Sequence, residues 1–319
     1  MYYKLSIIIP IYKVEEYIEE CLNSVFFQLP DNVEIILIND GTPDRSIEII
    51  KLKYADWLIK DQIVLLEQEN AGPGAARNTG LDVSRGEYIG FLDSDDVLFE
   101  NYFTTIFEVV DSHNTDIVEF SFQRFYELSE IRRSEYQSLY KFEGLYNIEE
   151  VKNKIFATGV WFPSIRVYKR KLFKKVRFPV GVFYEDLMLI SKIYLQNLNV
   201  YFLDKPLVGY RFNPNSTTAL HTKSHLNDMY QFYMSLSELK NTIPLEILKI
   251  RTARGIAYFY NELNTLDFPI YDLLRDIKGI KKQWVLLKNL KFPDLLFFIF
   301  PKIYMRVDKI RLEKKKEKK

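Results

Sequence analysis

The stretch Tyr88-Ile89-Gly90-Phe91-Leu92-Asp93-Ser94-Asp95-Asp96 decides how the chain is read. Its first five residues are a short apolar run of the kind buried in a sheet, and three carboxylates follow where the run ends. Alternate side chains of an extended segment point the same way, which lets Asp93 and Asp95 share a face. Two close carboxylates repel unless a proton or cation lies between them. A hard divalent ion, Mg²⁺ or Mn²⁺, suits such a site because it takes one or two carboxylates and leaves positions for phosphate oxygens. A turn followed by a helix N-cap suits the same four residues, with Asp96 as the cap.

Similar apolar runs precede it at Leu5–Pro10, Val33–Ile38 and Ile63–Leu66, each followed by a polar break and a helical stretch. Between the first two, Val14, Tyr17, Ile18, Cys21, Leu22 and Val25 recur at the spacing of one helix face. The βαβαβαβ series predicts an α/β fold with a mainly parallel sheet, in which ligands sit at the carboxyl ends of strands. Asn39-Asp40-Gly41 ends the second strand, where Asp40 is placed to accept from a base or ribose and Gly41 lets a backbone come close. A plain turn explains it equally. After the third strand, Asn70 to Gly80 opens a helix with small residues and one cation, Arg77, suited to phosphate or a base edge. Arg77 stands where a dinucleotide fingerprint needs its third glycine, and no P-loop occurs anywhere.

Further on, Phe183-Tyr184-Glu185-Asp186 leads into a helical pattern. Helix-dipole preference accounts for one carboxylate there; an ionised Asp within reach of a hydroxyl is also a general base. Tyr210-Arg211 to Ser216-Thr217-Thr218 offers a cation and hydroxyls for phosphate, or a capped turn. His221 follows as a third metal ligand or, more simply, a surface or packing residue. Glu127 to Phe142 reads as an irregular insertion, Trp161–Tyr168 and Val208–Phe212 as strands, and the chain beyond Lys223 as helical with breaks at Pro244, Pro269 and Pro293. Trp161-Phe162-Pro163 fits buried core or part of an acceptor site.

Taken in order, Ser6–Tyr12, Asn39–Asp44, Gly72–Gly80, Asp93–Asp96 and Glu185-Asp186 resemble glycosyltransferase family 2 over about residues 5–220. The resemblance implies a GT-A fold and inverting, metal-dependent transfer of one sugar from a nucleotide sugar, most often a UDP-sugar. It implies that Pro10, Tyr12, Asp40 and Arg77 hold uridine, that Asp93 places ribose or metal, and that Asp95 ligates Mn²⁺ or Mg²⁺. Asp186 is then the catalytic base with Glu185 beside it, while Arg211 and Ser216 close over the phosphates. One departure is Lys13, where many members have Asn after the Tyr. No Gln-x-x-Arg-Trp motif is present, which argues against a processive synthase. The implied layout is a catalytic domain over 1–220, its nucleotide-sugar half about 1–122 and acceptor half about 123–220, then helices over 221–305 and a basic tail at 306–319.

The implied setting is bacterial capsule, exopolysaccharide or glycoconjugate synthesis in the cytoplasm, with a lipid-linked or other glycoconjugate acceptor at the inner face of the membrane. A metal-dependent nucleotidyltransferase is the enzyme alternative, though its phosphate loop belongs after the first strand, where this chain has Pro10-Ile-Tyr12. A non-catalytic sugar-nucleotide-binding subunit of an assembly complex is the other.

Composition bounds these readings. The chain has 319 residues, 47% hydrophobic, enough for a large core and against disorder, and a single cysteine excludes an internal disulfide. A net charge of +1 gives no polyelectrolyte field for nucleic acid. Residues 306–319 carry +5, leaving −4 on the rest. No window supplies a spanning helix, and the first residues lack the pattern of a signal peptide. The apolar run Leu295–Phe300 before the basic tail is the two-signal arrangement for peripheral binding to an anionic membrane, or else a helix packed on the body ahead of a solvated tail.

Overall fold

The structure, a computed structural model, describes residues 3–130, 136, 138–213, 221–265 and 268–316. The chain divides into two units. The first holds Met1–Glu150, Trp161–Gly181 and Glu185–Asn213, and the second Val151–Val160, Val182–Tyr184 and Pro214–Lys319.

The first unit is built on one sheet. Its strands are β1 (Leu5–Ile11), β2 (Val33–Asn39), β3 (Ile63–Glu67), β4 (Tyr88–Phe91), β5 (Val97–Leu98), β6 (Ile117–Phe125), β7 (Gly144–Asn147), β8 (Arg166–Lys169) and β9 (Asn199–Arg211). They are ordered β3-β2-β1-β4-β8-β6-β9-β5, with β7 on β9. Ile7, Ile8 and Ile9 of β1 and Ile35 to Ile38 of β2 are all fully buried, as β-branched and apolar runs covered on both faces should be. Helices α1 (Ile18–Phe26), α2 (Ser46–Lys53), α3 (Ala55–Leu58), α4 (Pro73–Val83) and α5 (Tyr102–Ser112) connect the early strands, α6 (Ile148–Thr158) lies mostly in the second unit, and α7 (Glu185–Tyr194) follows β8.

The first four strands pair in parallel, as the βα alternation predicts. The second half of the sheet departs from it. β8 runs against both β4 and β6, and β5 and β7 run against β9, so the sheet as a whole is mixed. The expected strand at Trp161–Tyr168 is shortened because Pro163–Ile165 forms a 3₁₀ turn before β8, while Val208–Phe212 is the end of the longer β9. Where β6 pairs in parallel with β9 the register slips around Ser121, whose partner is Pro206, a residue with no amide proton for the ladder.

A fully buried ion pair fixes this irregular half. Arg166 of β8 donates to Glu119 of β6 at 2.9 Å and to the hydroxyl of Tyr194 at 3.0 Å, and Tyr140 donates to the same carboxylate at 2.9 Å. Tyr140, in the stretch read as an irregular insertion, thus closes a core network.

In the second unit, α9 (Ile243–Leu263) is packed by α8 (Lys223–Leu236), α10 (Ile270–Gly279), α11 (Trp284–Asn289), α12 (Phe292–Ile299) and α13 (Pro301–Lys316). Pro244 and Pro293 occupy first helical turns and Pro269 caps α10, the positions at which proline costs no helical hydrogen bond. Buried Asp294 accepts from Arg251 at 2.8 Å and Arg254 at 2.6 Å, which locks α12 onto α9. No helix of the described residues is long and apolar enough to cross a membrane.

Candidate active site

The acidic end of β4 lies beside the first turn of α7, and a single guanidinium joins them. Arg77, in the second turn of α4 and 5% exposed, donates to Asp93 at 2.7 Å and to Glu185 at 2.6 Å. Burial works against its charge, and the two carboxylates outweigh that, so the guanidinium is held more firmly protonated than usual. Arg77 is therefore placed between two acids, where the sequence suggested a base or phosphate contact. Gly74 makes the approach possible: a Cβ there would meet the carbonyl oxygen of Pro179 at 2.5 Å and the Glu185 side chain at 3.2 Å. Gly74, and Gly80, where an added Cβ would meet Ile8 at 2.4 Å, both serve packing of protein on protein. Asn78 in the same helix went unassigned in the sequence reading, yet it exchanges hydrogen bonds with Phe178 at 2.8 and 3.0 Å and so fixes the segment leading to Glu185.

Asp186 sits next to this pair on α7. Burial, and then the Glu185 charge, push its carboxyl up to about 7, while the Leu187 amide at 2.6 Å and Arg77 pull it back. A place in the first turn of a helix favours the ionised form. Desolvation wins instead, and Asp186 is poised to gain or lose a proton near neutrality. Tyr184, directly before Glu185, has φ +62°, a left-handed conformation that a bulky residue holds only when its surroundings impose it.

At the end of β2, Asp40 is 2% exposed, and its oxygens accept from Gln68 at 2.8 Å and from the amides of Ala71 and Gly72 at 3.0 and 2.9 Å. It shapes the loop ahead of α4, where Gly72 takes φ +88° to start the helix at Pro73. Pro10 is half-buried near the end of β1 and Tyr12 is 41% exposed. Lys13 has φ +54°, with its amide donating to Thr42 at 2.8 Å. That left-handed backbone is one Asn tolerates more readily than Lys.

The remaining acids of the Asp93–Asp96 turn differ in role. Burial, with Asp93 next, pushes Asp95 up to about 6. Burial and both neighbours push Asp96 well above the usual carboxylate range; one of its oxygens accepts the Arg211 amide at 2.8 Å, and the other is buried without a hydrogen-bond partner. Arg211 itself is 5% exposed and donates to the Asp95 carbonyl at 2.9 Å, the Tyr126 carbonyl at 3.2 Å and Glu20, a residue the sequence did not single out. Its guanidinium braces the acidic turn. Ser216 lies outside the described residues. His221 belongs to the second unit, where it bonds Glu262 and meets Phe259 edge-on. Among the described residues no three acids, histidines or cysteines are arranged to enclose a metal. Asp95 and Asp93, two neighbouring carboxylates with Asp95 held up by burial and then by the Asp93 charge, do suit an ion that takes only one or two protein ligands and completes its shell from phosphate.

The chain belongs to glycosyltransferase family 2, whose family model matches residues 6–177. Among known proteins it is similar to glycosyltransferase GlyA of Streptococcus pneumoniae, 34% identical over 91% of this chain and 44% of GlyA. It is also similar to the uncharacterized glycosyltransferase EpsJ of Bacillus subtilis, 35% identical over 71% of this chain and 67% of EpsJ. The chain thus spans less than half the length of GlyA. The structure of S. aureus TarS 1–349 in complex with UDP-GlcNAc shares the fold with a TM-score of 0.68 at 19% identity, over 99% of this chain and 92% of that one. A mannosyltransferase from Pyrobaculum calidifontis, in complex with GDP-Man and Mn²⁺, has a TM-score of 0.56 at 15% identity over 97% and 88%. The expected α/β fold of the GT-A kind with helices at the C-terminal end is the one observed, and the nucleotidyltransferase alternative falls away.

Proposed function

We propose that the chain moves one sugar per encounter from a UDP-sugar to an acceptor hydroxyl, inverting the anomeric carbon, in the making of a bacterial cell-surface polysaccharide or glycoconjugate. The observation that carries this is the Arg77 fork, which ties the Asp186 side of the site to the acidic end of β4 through bonds of 2.6 and 2.7 Å. Asp186 removes the proton of the acceptor hydroxyl. That oxygen attacks the anomeric carbon from the face opposite the diphosphate, the bond to the diphosphate breaks, and one displacement inverts the centre.

Pro10 and Tyr12 take the nucleoside, with Asp40 fixing the loop around it. Arg77 and Arg211 act as positioning residues, through Asp93 and Glu185 and through the Asp95 backbone. A Mn²⁺ or Mg²⁺ ion on Asp95, with Asp93 beside it, would supply Lewis-acid and template chemistry at the leaving diphosphate. The structural neighbours, one in complex with UDP-GlcNAc and the other with GDP-Man and Mn²⁺, support a nucleotide-sugar donor and such an ion. The acceptor we favour is a lipid-linked oligosaccharide or other glycoconjugate at the inner face of the plasma membrane.

Hydrolysis of a panel of nucleotide sugars with each cation tests the donor. A UDP-sugar should turn over fastest, chelation should stop it, and Asp95→Ala should lower the rate by about two orders of magnitude or more. Preference for a guanosine or thymidine donor would overturn the uridine assignment, and turnover indifferent to chelator would overturn the metal.

A further inference from the structure

The apolar run Leu295–Phe300, the obvious candidate for a membrane contact in the sequence, is partly taken up by the core, with Leu295, Leu296 and Ile299 half-buried. Phe297 and Phe298 of α12 are buried, and Phe297 packs edge-on against Tyr304 at 5.6 Å. The next helix presents a different surface. α13 is held to α9 along one side, where Arg254 donates to the Tyr304 hydroxyl at 3.3 Å, Asn261 donates to the Met305 carbonyl at 2.9 Å, and Leu312 is buried. Those contacts fix which way the helix faces. Ile303, Val307 and Ile310, spaced four and three residues apart, form a row on the other side and are 59%, 60% and 48% exposed. Phe300, one turn before Ile303, is 52% exposed.

This row is bordered mainly by positive charge, with Glu313 as an acid on the flank of Lys302, Arg306 and Lys309. Lys302, Arg306, Lys309, Arg311, Lys314 and Lys315 are all exposed, whereas Glu313 is the sole exposed acid among the residues of α13 with described side chains. At 3.6 residues per turn, Lys302, Arg306 and Lys309 fall on one flank of the apolar row and Arg311 and Lys315 on the other. A helix with an apolar stripe between basic flanks fits the headgroup boundary of an anionic bilayer, the stripe entering the acyl edge and each cation adding about 1 kcal/mol at the surface. A second copy of this chain meeting the row across a two-fold axis would set the same basic flanks against each other, which repels. A nucleic acid would place cations, not isoleucine and valine, at the centre of the contact.

We propose that α13 is a membrane-surface helix that binds anionic lipid through Ile303, Val307 and Ile310 and the basic residues beside them. The surface is independent of the transfer reaction and of the donor reading above. The test is flotation of the 319-residue chain with vesicles of phosphatidylglycerol and phosphatidylcholine in equal parts, against vesicles of phosphatidylcholine alone, with light scattering of the free protein. Binding should require phosphatidylglycerol and weaken at high salt. Ile303→Ser, Val307→Ser and Ile310→Ser together should raise the dissociation constant about tenfold or more, and Lys302→Glu with Arg306→Glu should abolish binding. All these residues are exposed, so thermal unfolding and donor hydrolysis should match the parent. Absence of binding to the phosphatidylglycerol vesicles, or equal binding by parent and triple-serine variant, overturns the proposal. So does a parent dimer that the triple-serine variant converts to monomer, since a second copy then covers the row.

Discussion

Asp186 shows how environment sets a residue's chemistry. Its place in the first turn of α7 favours the ionised form, yet burial and Glu185 push its carboxyl up to about 7. A base must be ionised, so kcat/KM for transfer should rise tenfold per pH unit below about 7 and level off above it, read from a rate profile on a fixed donor. Folding carries the opposite sign. The neutral carboxyl is the form the site prefers, so the stability present below about pH 4 declines as pH rises toward 7. Arg77→Gln removes the cation that pulls Asp186 down and leaves Asp93 and Glu185 without it, so the acidic limb should move to higher pH. A limb that stays in place would mean the fork does not act on Asp186. The identities of Asp93, Asp95, Glu185 and Asp186 were legible because carboxylates cluster where apolar runs end. The fork was not, because Arg77, Asp93 and Glu185 are brought together by contacts 16 and 108 residues apart in the chain.

Among elements, those governed by local pattern were the easiest to read. β1 to β4 and the helices between them follow from apolar runs and helical spacing, since β1, β2 and β4 are buried by their immediate neighbours and β3 pairs with β2 at the sheet edge. β8 was legible as part of a strand, but its place between β4 and β6 was not, because that depends on the distant pairing of Arg166 with Glu119. Two substitutions probe these supports. A Cβ at Gly80 of α4 would stand 2.4 Å from Ile8, so Gly80→Ala should cost about 1 to 3 kcal/mol in denaturant unfolding through forced separation of α4 from β1. Arg166→Met leaves Glu119 charged and buried, and the same measurement should show a loss of about 3 to 5 kcal/mol. A loss under 1 kcal/mol would mean that Tyr140 and Tyr194 satisfy the carboxylate on their own.

For the whole molecule, the net charge of +1 is a cancellation between a body at −4 and a basic end at +5. The first unit carries the acids of the proposed donor site and the second a helix with a basic, apolar-striped face, so the two signs serve different purposes. Family membership rests on the order of motifs along the first 177 residues, which is why the class was legible while sugar and acceptor, shaped by loops, were not. The central claim is that Asp186 is the base of an inverting transfer. Its most direct test is Asp186→Asn, which keeps shape and the Leu187 bond while removing the titrating proton acceptor, assayed for sugar transfer and for UDP binding side by side. The account predicts UDP binding as in the parent with transfer reduced by about two to four orders of magnitude; transfer at the parent rate would contradict it.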